Sequence, residues 1–115
     1  MSALARVEVV AAIWRKQRIG ELEVADAGVL VRAFEADYHG TSSRRPRFVA
    51  IEVSAPMLDL AAELVAVHGL RAYDGVQLAT AVVVRDADPG CAMLAAWDHQ
   101  LRRAAAQRSF TLLPA

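Results

Sequence analysis

Asp74 stands inside the stretch Leu70-Arg71-Ala72-Tyr73-Asp74-Gly75-Val76-Gln77-Leu78-Ala79-Thr80-Ala81, where nearly every other side chain is apolar or small. A carboxylate in such surroundings is costly unless something positive meets it. Asp74 is therefore read as one corner of a metal site. Two other acids stand out along the chain, Glu8 and Asp98. Each has a plainer reading as well. Glu8 serves equally as a solvated acid beside a core face, Asp74 as a first-turn acid favoured by a helix dipole, and Asp98 as a helix N-cap. His39, His68 and His99 are too scattered for a helical zinc pair, and Cys91 adds no ligand spacing.

The elements that must position these acids follow from periodicity and punctuation. Ser2 can cap a first helix running to about Gln17, with Leu4, Val7, Val10, Ala11 and Trp14 on one face. Glu8 projects from a flank whose helical neighbours are Leu4, Ala5, Ala11 and Ala12. Arg15, Lys16 and Arg18 gather in the last turn, where the dipole favours cations, and Gly20 ends the helix. Asp26 is read as the cap of a second helix with the stripe Ala27, Leu30, Val31, Phe34 and Tyr38. Gly40 to Pro46 reads as a loop made basic by Arg44, Arg45 and the neighbouring Arg47. That cluster suits either a solvated loop or a phosphate contact.

Phe48 to Val53 alternates as a strand. Ser54 and Pro56 then open a third helix that stops at Gly69; His68 sits near its negative end. A fourth helix covers about Ala72 to Arg85, with Asp74 in its first turn and apolar residues on both sides, which places it between layers. Cys91 to Ala95 reads as a buried parallel strand, Asp98 as the cap of a short helix to about Ala106, and Phe110 to Leu113 as a last strand. Strands separated by helices predict an α/β sandwich with a mainly parallel sheet. Ligands bind beyond the carboxyl ends of such strands, where Asp98 falls by sequence position.

Composition narrows the function classes. Hydrophobic residues make up 56% of the 115 and charged residues 23%, with zero net charge. The length suits one domain and one core. The apolar excess over the usual share of about 45–50% suggests a large core, a covered surface or a standing partner. No global basic field announces nucleic acid, so any RNA contact has to be local. A single cysteine excludes an internal disulfide and fits a reducing compartment. No apolar run approaches a membrane span and the N-terminus is a poor signal peptide. The expectation is a cytoplasmic protein without a membrane role.

Three sequence words resemble the PIN-domain ribonucleases, in particular VapC-like toxins of bacterial toxin–antitoxin pairs. They are Ser2-Ala3-Leu4-Ala5-Arg6-Val7-Glu8-Val9, His68-Gly69-Leu70-Arg71-Ala72-Tyr73-Asp74-Gly75-Val76-Gln77-Leu78-Ala79, and Leu94-Ala95-Ala96-Trp97-Asp98-His99-Gln100-Leu101. With the final Leu112-Leu113-Pro114, the resemblance spans essentially the whole chain; the middle word is its most specific part. It implies a three-layer α/β/α PIN-like sandwich in which Glu8, Asp74 and Asp98 hold Mg²⁺ or Mn²⁺, a fit for hard oxygen donors. The ion would serve in-line cleavage of an RNA backbone, and a cognate antitoxin protein would neutralise the activity.

The chain also departs from that pattern. The family begins with a strand ending in an aspartate, followed closely by a serine or threonine, whereas here Met1 falls just before the helix bearing Glu8. Residues 1–115 are thus expected to be a single PIN-like domain lacking its N-terminal strand-helix-strand portion, with the sheet split at its centre and apolar edges exposed. Ala96-Trp97 replaces a hydroxyl residue common before the last acid. Two functions are expected from this combination. One is a metal-dependent VapC-type ribonuclease impaired by its shortness. The other is a catalytically inactive binding module that pairs with an antitoxin or with a second PIN chain, including a homodimer.

Overall fold

The computed structural model describes residues 1–115. Five helices hold about 60% of them and the only sheet is a parallel pair of three-residue strands. The elements are α1 (Ala5–Arg18), α2 (Val24–His39), α3 (Ala55–His68), α4 (Ala72–Ala87), β1 (Met93–Ala95), α5 (His99–Gln107) and β2 (Thr111–Leu113). The expected three-layer α/β/α sandwich with a mainly parallel sheet is therefore wrong: the protein is mainly helical. The physical reason lies in pairing. A strand exists only where a neighbour satisfies its backbone groups, and Phe48 to Val53 finds too little. Ile51 bonds the N-terminal segment, donating to the Met1 carbonyl at 2.7 Å and accepting from the Ala3 amide at 2.9 Å, and the Val49 carbonyl accepts from the Met1 amino group at 2.9 Å. The alternation of that stretch is real, but no ladder forms on it.

The chain divides into two compact units. Met1 and Ala3–Ile51 make the first, which consists of α1, α2 and the basic loop. Leu4 rather than Ser2 is the N-cap residue of α1, which begins at Ala5; Glu23 rather than Asp26 is the N-cap residue of α2, and Asp26 lies in its first turn. The two helices are joined by Arg6, which pairs with Glu35 at 2.8 Å and donates to His39 Nε2 at 3.3 Å. Phe34 packs near Tyr38 and Phe48, with ring centroids 5.9 and 6.1 Å apart.

Ser2 and Glu52–Ala115 make the second unit. Here the punctuation behaves as the sequence suggests. The Ser54 hydroxyl accepts from the Met57 amide, Pro56 lies in the first turn of α3, and Gly69 closes the helix in the left-handed region at φ 67°. α3 and α4 pack closely because Gly75 has no side chain: a Cβ there would collide with the Val65 side chain and stand 3.2 Å from the Ala61 carbonyl oxygen. Leu64 and Leu78 are fully buried, with Met57, Ala61, Val76, Ala79, Leu101, Ala104, Ala105 and Phe110 around them. β1 and β2 run parallel in the register Met93–Thr111, Leu94–Leu112 and Ala95–Leu113. They are shorter than expected at Cys91 to Ala95 and Phe110 to Leu113. β1 is not buried throughout either, because Met93 and Ala95 are exposed. No helix is long and apolar enough to cross a membrane.

Candidate functional site

The second unit brings two of the three acids to one place. Asp74 rides on the first turn of α4, and Asp98 caps α5, its carboxylate accepting from the Leu101 amide at 3.0 Å. Asp98 follows β1 directly, so it lies beyond the carboxyl end of the parallel pair. That end is fastened by Arg102, whose guanidinium donates to the carbonyls of Ala96 at 2.7 Å, Pro114 at 2.8 Å and Leu113 at 3.4 Å. With Arg102 committed to carbonyls, the cation that serves the acids is Arg71. Its guanidinium contacts Asp98 at 3.3 Å and Asp74 at 3.6 Å.

Arg71 is a member of this candidate site that the sequence alone did not single out. The signal was there, since an acid in apolar surroundings requires a positive partner, and Arg71 stands three residues before Asp74, the spacing at which helical side chains meet. Because Arg71 is itself largely exposed, these ion pairs add little to stability. They place one positive charge between two carboxylates.

The two carboxyls differ in character. Asp74 has only 15% of its side chain exposed, and its pKa is raised, first by burial and then by the nearby charge of Asp98; Arg71 opposes the shift. Asp98 is held below the usual carboxylate range, chiefly by the hydrogen bond from the Leu101 amide and further by Arg71. Burial thus favours the neutral form of one carboxyl while backbone hydrogen bonding favours the ionised form of its neighbour. Beside them Gln77 donates to the Tyr73 hydroxyl at 2.9 Å.

Glu8 belongs to the first unit. It is exposed on α1 and lines a groove of about 470 Å³ with Ala11, Ala12, Arg15, Lys16 and Ile19. Lys16 is tied to Glu21 at 2.8 Å. Within neither unit do three or more His, Cys, Asp or Glu side chains gather as a metal would need them. Asp74 and Asp98 thus form a carboxylate pair around Arg71, with no third ligand of these types beside them. No protein-family model, no curated protein and no solved structure matches the chain.

Proposed function

We propose that the Asp74–Asp98 pair is the working centre of a metal-dependent ribonuclease of the PIN, VapC-like kind, cleaving RNA phosphodiesters. The observation that carries this reading is the pair itself: two carboxylates of opposite protonation tendency that share one cation, beyond the carboxyl end of a parallel strand pair. The donor chemistry fits Mg²⁺ or Mn²⁺ in kind, since such ions are held by one or two carboxylates with water completing the shell. Asp74 and Asp98 would hold the ion, with water completing its shell. When bound, the ion supplies the Lewis acidity that phosphodiester hydrolysis needs.

The chain's own residues have definable parts. Asp98, ionised and fixed by the α5 backbone, is the rigid anion of the site. Asp74, partly buried, would be ionised as a ligand, its charge offset by Arg71 and by the ion. Arg71, whose planar fork recognises carboxylate and phosphate alike, would be free to contact an RNA phosphate if a divalent cation neutralised the two acids.

Arg71 also favours a second reading. A guanidinium that already balances both acids leaves no need of a metal, and Trp97 and Met93 expose 76% and 65% of their surface close to the site in sequence. Those features suit a binding module that contacts an antitoxin-like protein or another copy of the chain without cutting RNA.

The test is cleavage of a labelled single-stranded RNA by the purified chain with Mg²⁺ or Mn²⁺. The nuclease reading expects metal-dependent cutting that Asp74→Asn and Asp98→Asn each abolish. RNA left intact by the wild type, with both variants behaving as it does, would refute that reading and leave the binding module.

A further inference from the structure

A polar cavity of about 220 Å³ lies between the end of α3 and the outward stripe of α5, lined by Val67, His68, Gln100, Arg103, Ala104 and Gln107. It contains no carboxylate. Gln100, Arg103 and Gln107 recur at helical spacing along α5, while Leu101, Ala104 and Ala105 of the same helix are buried. The methyl side chain of Ala104 leaves the space open beneath the longer residues.

Accounting for the cations singles out Arg103. Arg102 is spent on the carbonyls of Ala96, Leu113 and Pro114. Arg85 donates to the Arg108 carbonyl at 2.6 Å and lies over the Phe110 ring. Arg108 donates through Nε to His68 Nε2 at 3.3 Å. Arg103 pairs with none of the chain's carboxylates, and α5 has no acid anywhere along its length. The Arg108 bond also fixes the histidine. The bond orients the imidazole ring, whose Nε2 faces Arg108. Arg108 further offsets the partial negative charge at the end of α3. The lining thus offers a guanidinium fork, two carboxamides and an imidazole ring, with no carboxylate among them.

From this set we infer that the cavity is a binding site for a phosphate-type oxyanion, gripped by Arg103 and oriented by Gln100, Gln107 and His68. Two sources share that chemistry: a free or terminal phosphate group, and the phosphodiester backbone of single-stranded RNA. The inference does not depend on the Asp74–Asp98 centre, because it requires neither metal nor cleavage.

The test is an NMR titration of the full chain, with ¹H–¹⁵N signals of the Arg103 Nε–H and the Gln100 and Gln107 side-chain amides as readout. One probe is inorganic phosphate, measured against chloride at matched ionic strength. The other is an oligouridine without terminal phosphates, in metal-free buffer. Saturable shifts at these groups are expected with at least one probe, and the tighter probe identifies the source. Arg103→Gln is expected to weaken binding about tenfold, the loss of a charge-assisted bidentate contact. Arg103→Lys keeps the charge without the fork and is expected to fall between the two. Arg15→Gln, on α1, should bind as the wild type does. Arg103 is exposed, so none of these changes threatens folding. The absence of saturable shifts with both probes, or wild-type binding by Arg103→Gln, would overturn the assignment.

Discussion

The two units of this chain show how differently one composition can be spent. In the second unit, Leu64, Leu78, Met57, Val76, Leu101 and Phe110 are buried, and α4 carries five consecutive or near-consecutive buried residues from Gly75 to Thr80. In the first unit, the buried residues of the two long helices are Ala5 and Ala27 alone, while Val7, Ile19, Val24, Val29 and Leu30 are exposed. Apolar periodicity is present in both. What separates them is a partner surface: α4 has a close neighbour in α3, admitted by Gly75, and the stripes of α1 and α2 enclose little between them. Amphipathic patterning fixes a helix and its face, but the stability comes from what that face meets. The candidate chemistry lies in the better-packed unit, where a site's side chains can be held in place.

The sharpest way to break this contrast is to remove core volume. Leu64→Ala and Leu78→Ala are each expected to cost about 2–5 kcal/mol, read as a large fall in the midpoint of chemical denaturation. A loss as small as that of an exposed residue would mean the second unit is not the core. Gly75→Ala tests the same core by addition. Its Cβ would meet the Val65 side chain, so a loss of about 1–3 kcal/mol is expected, recovered in part by pairing it with Val65→Ala. An additive double variant would show that the two helices do not meet there. By contrast, Val29→Ala and Leu30→Ala on α2 are expected to change stability by no more than about 0.5 kcal/mol. Amide exchange should likewise be faster through α1 and α2 than through α3 and α4; equal protection would remove the distinction between the units.

The smallest expected effect is the opposed titration of the two acids. Asp98, with its pKa depressed in the folded chain, contributes stability that is present above the ordinary aspartate value of about 3.9 and is lost as pH falls through the lower folded value. Asp74, with its pKa raised, contributes stability that is present below about 3.9 and is lost as pH rises through the higher folded value. Relative to the wild type, Asp74→Asn should therefore gain in melting temperature as pH rises from acid toward neutrality, and Asp98→Asn should lose. Parallel curves would mean that the carboxyls do not share the environment described.

Much of the second unit was legible in the sequence because its signals are local. Ser54, Pro56 and Gly69 mark the ends of α3, and Asp98 caps α5, each through bonds that span only a few residues. The sheet was not legible, because a strand depends on a distant partner. Phe48 to Val53 alternates as strands do, yet only Val49 and Ile51 bond to the N-terminal segment, and the expected central sheet reduces to β1 and β2. Ser2 and Asp26 have the chemistry of caps, but the helix starts fall elsewhere by two or three residues. Of the candidate site, the place of Asp98 after a strand was legible from sequence order, whereas its contact with Arg71 beside Asp74 depends on how α4 and α5 pack. Arg71 was overlooked although it sits in the same stretch. The cavity at Arg103 had no sequence signature, since it depends on which of several neighbouring arginines is left unpaired.

The central claim, that Asp74 and Asp98 form a divalent-cation site now balanced by Arg71, is tested most directly by Mn²⁺ titration of the full chain with paramagnetic broadening as the readout. Broadening is expected to centre on residues 71–75 and 97–101, to strengthen in Arg71→Gln, which removes the competing guanidinium, and to disappear in Asp74→Asn. Broadening spread evenly over the surface, or unchanged by both substitutions, would contradict it.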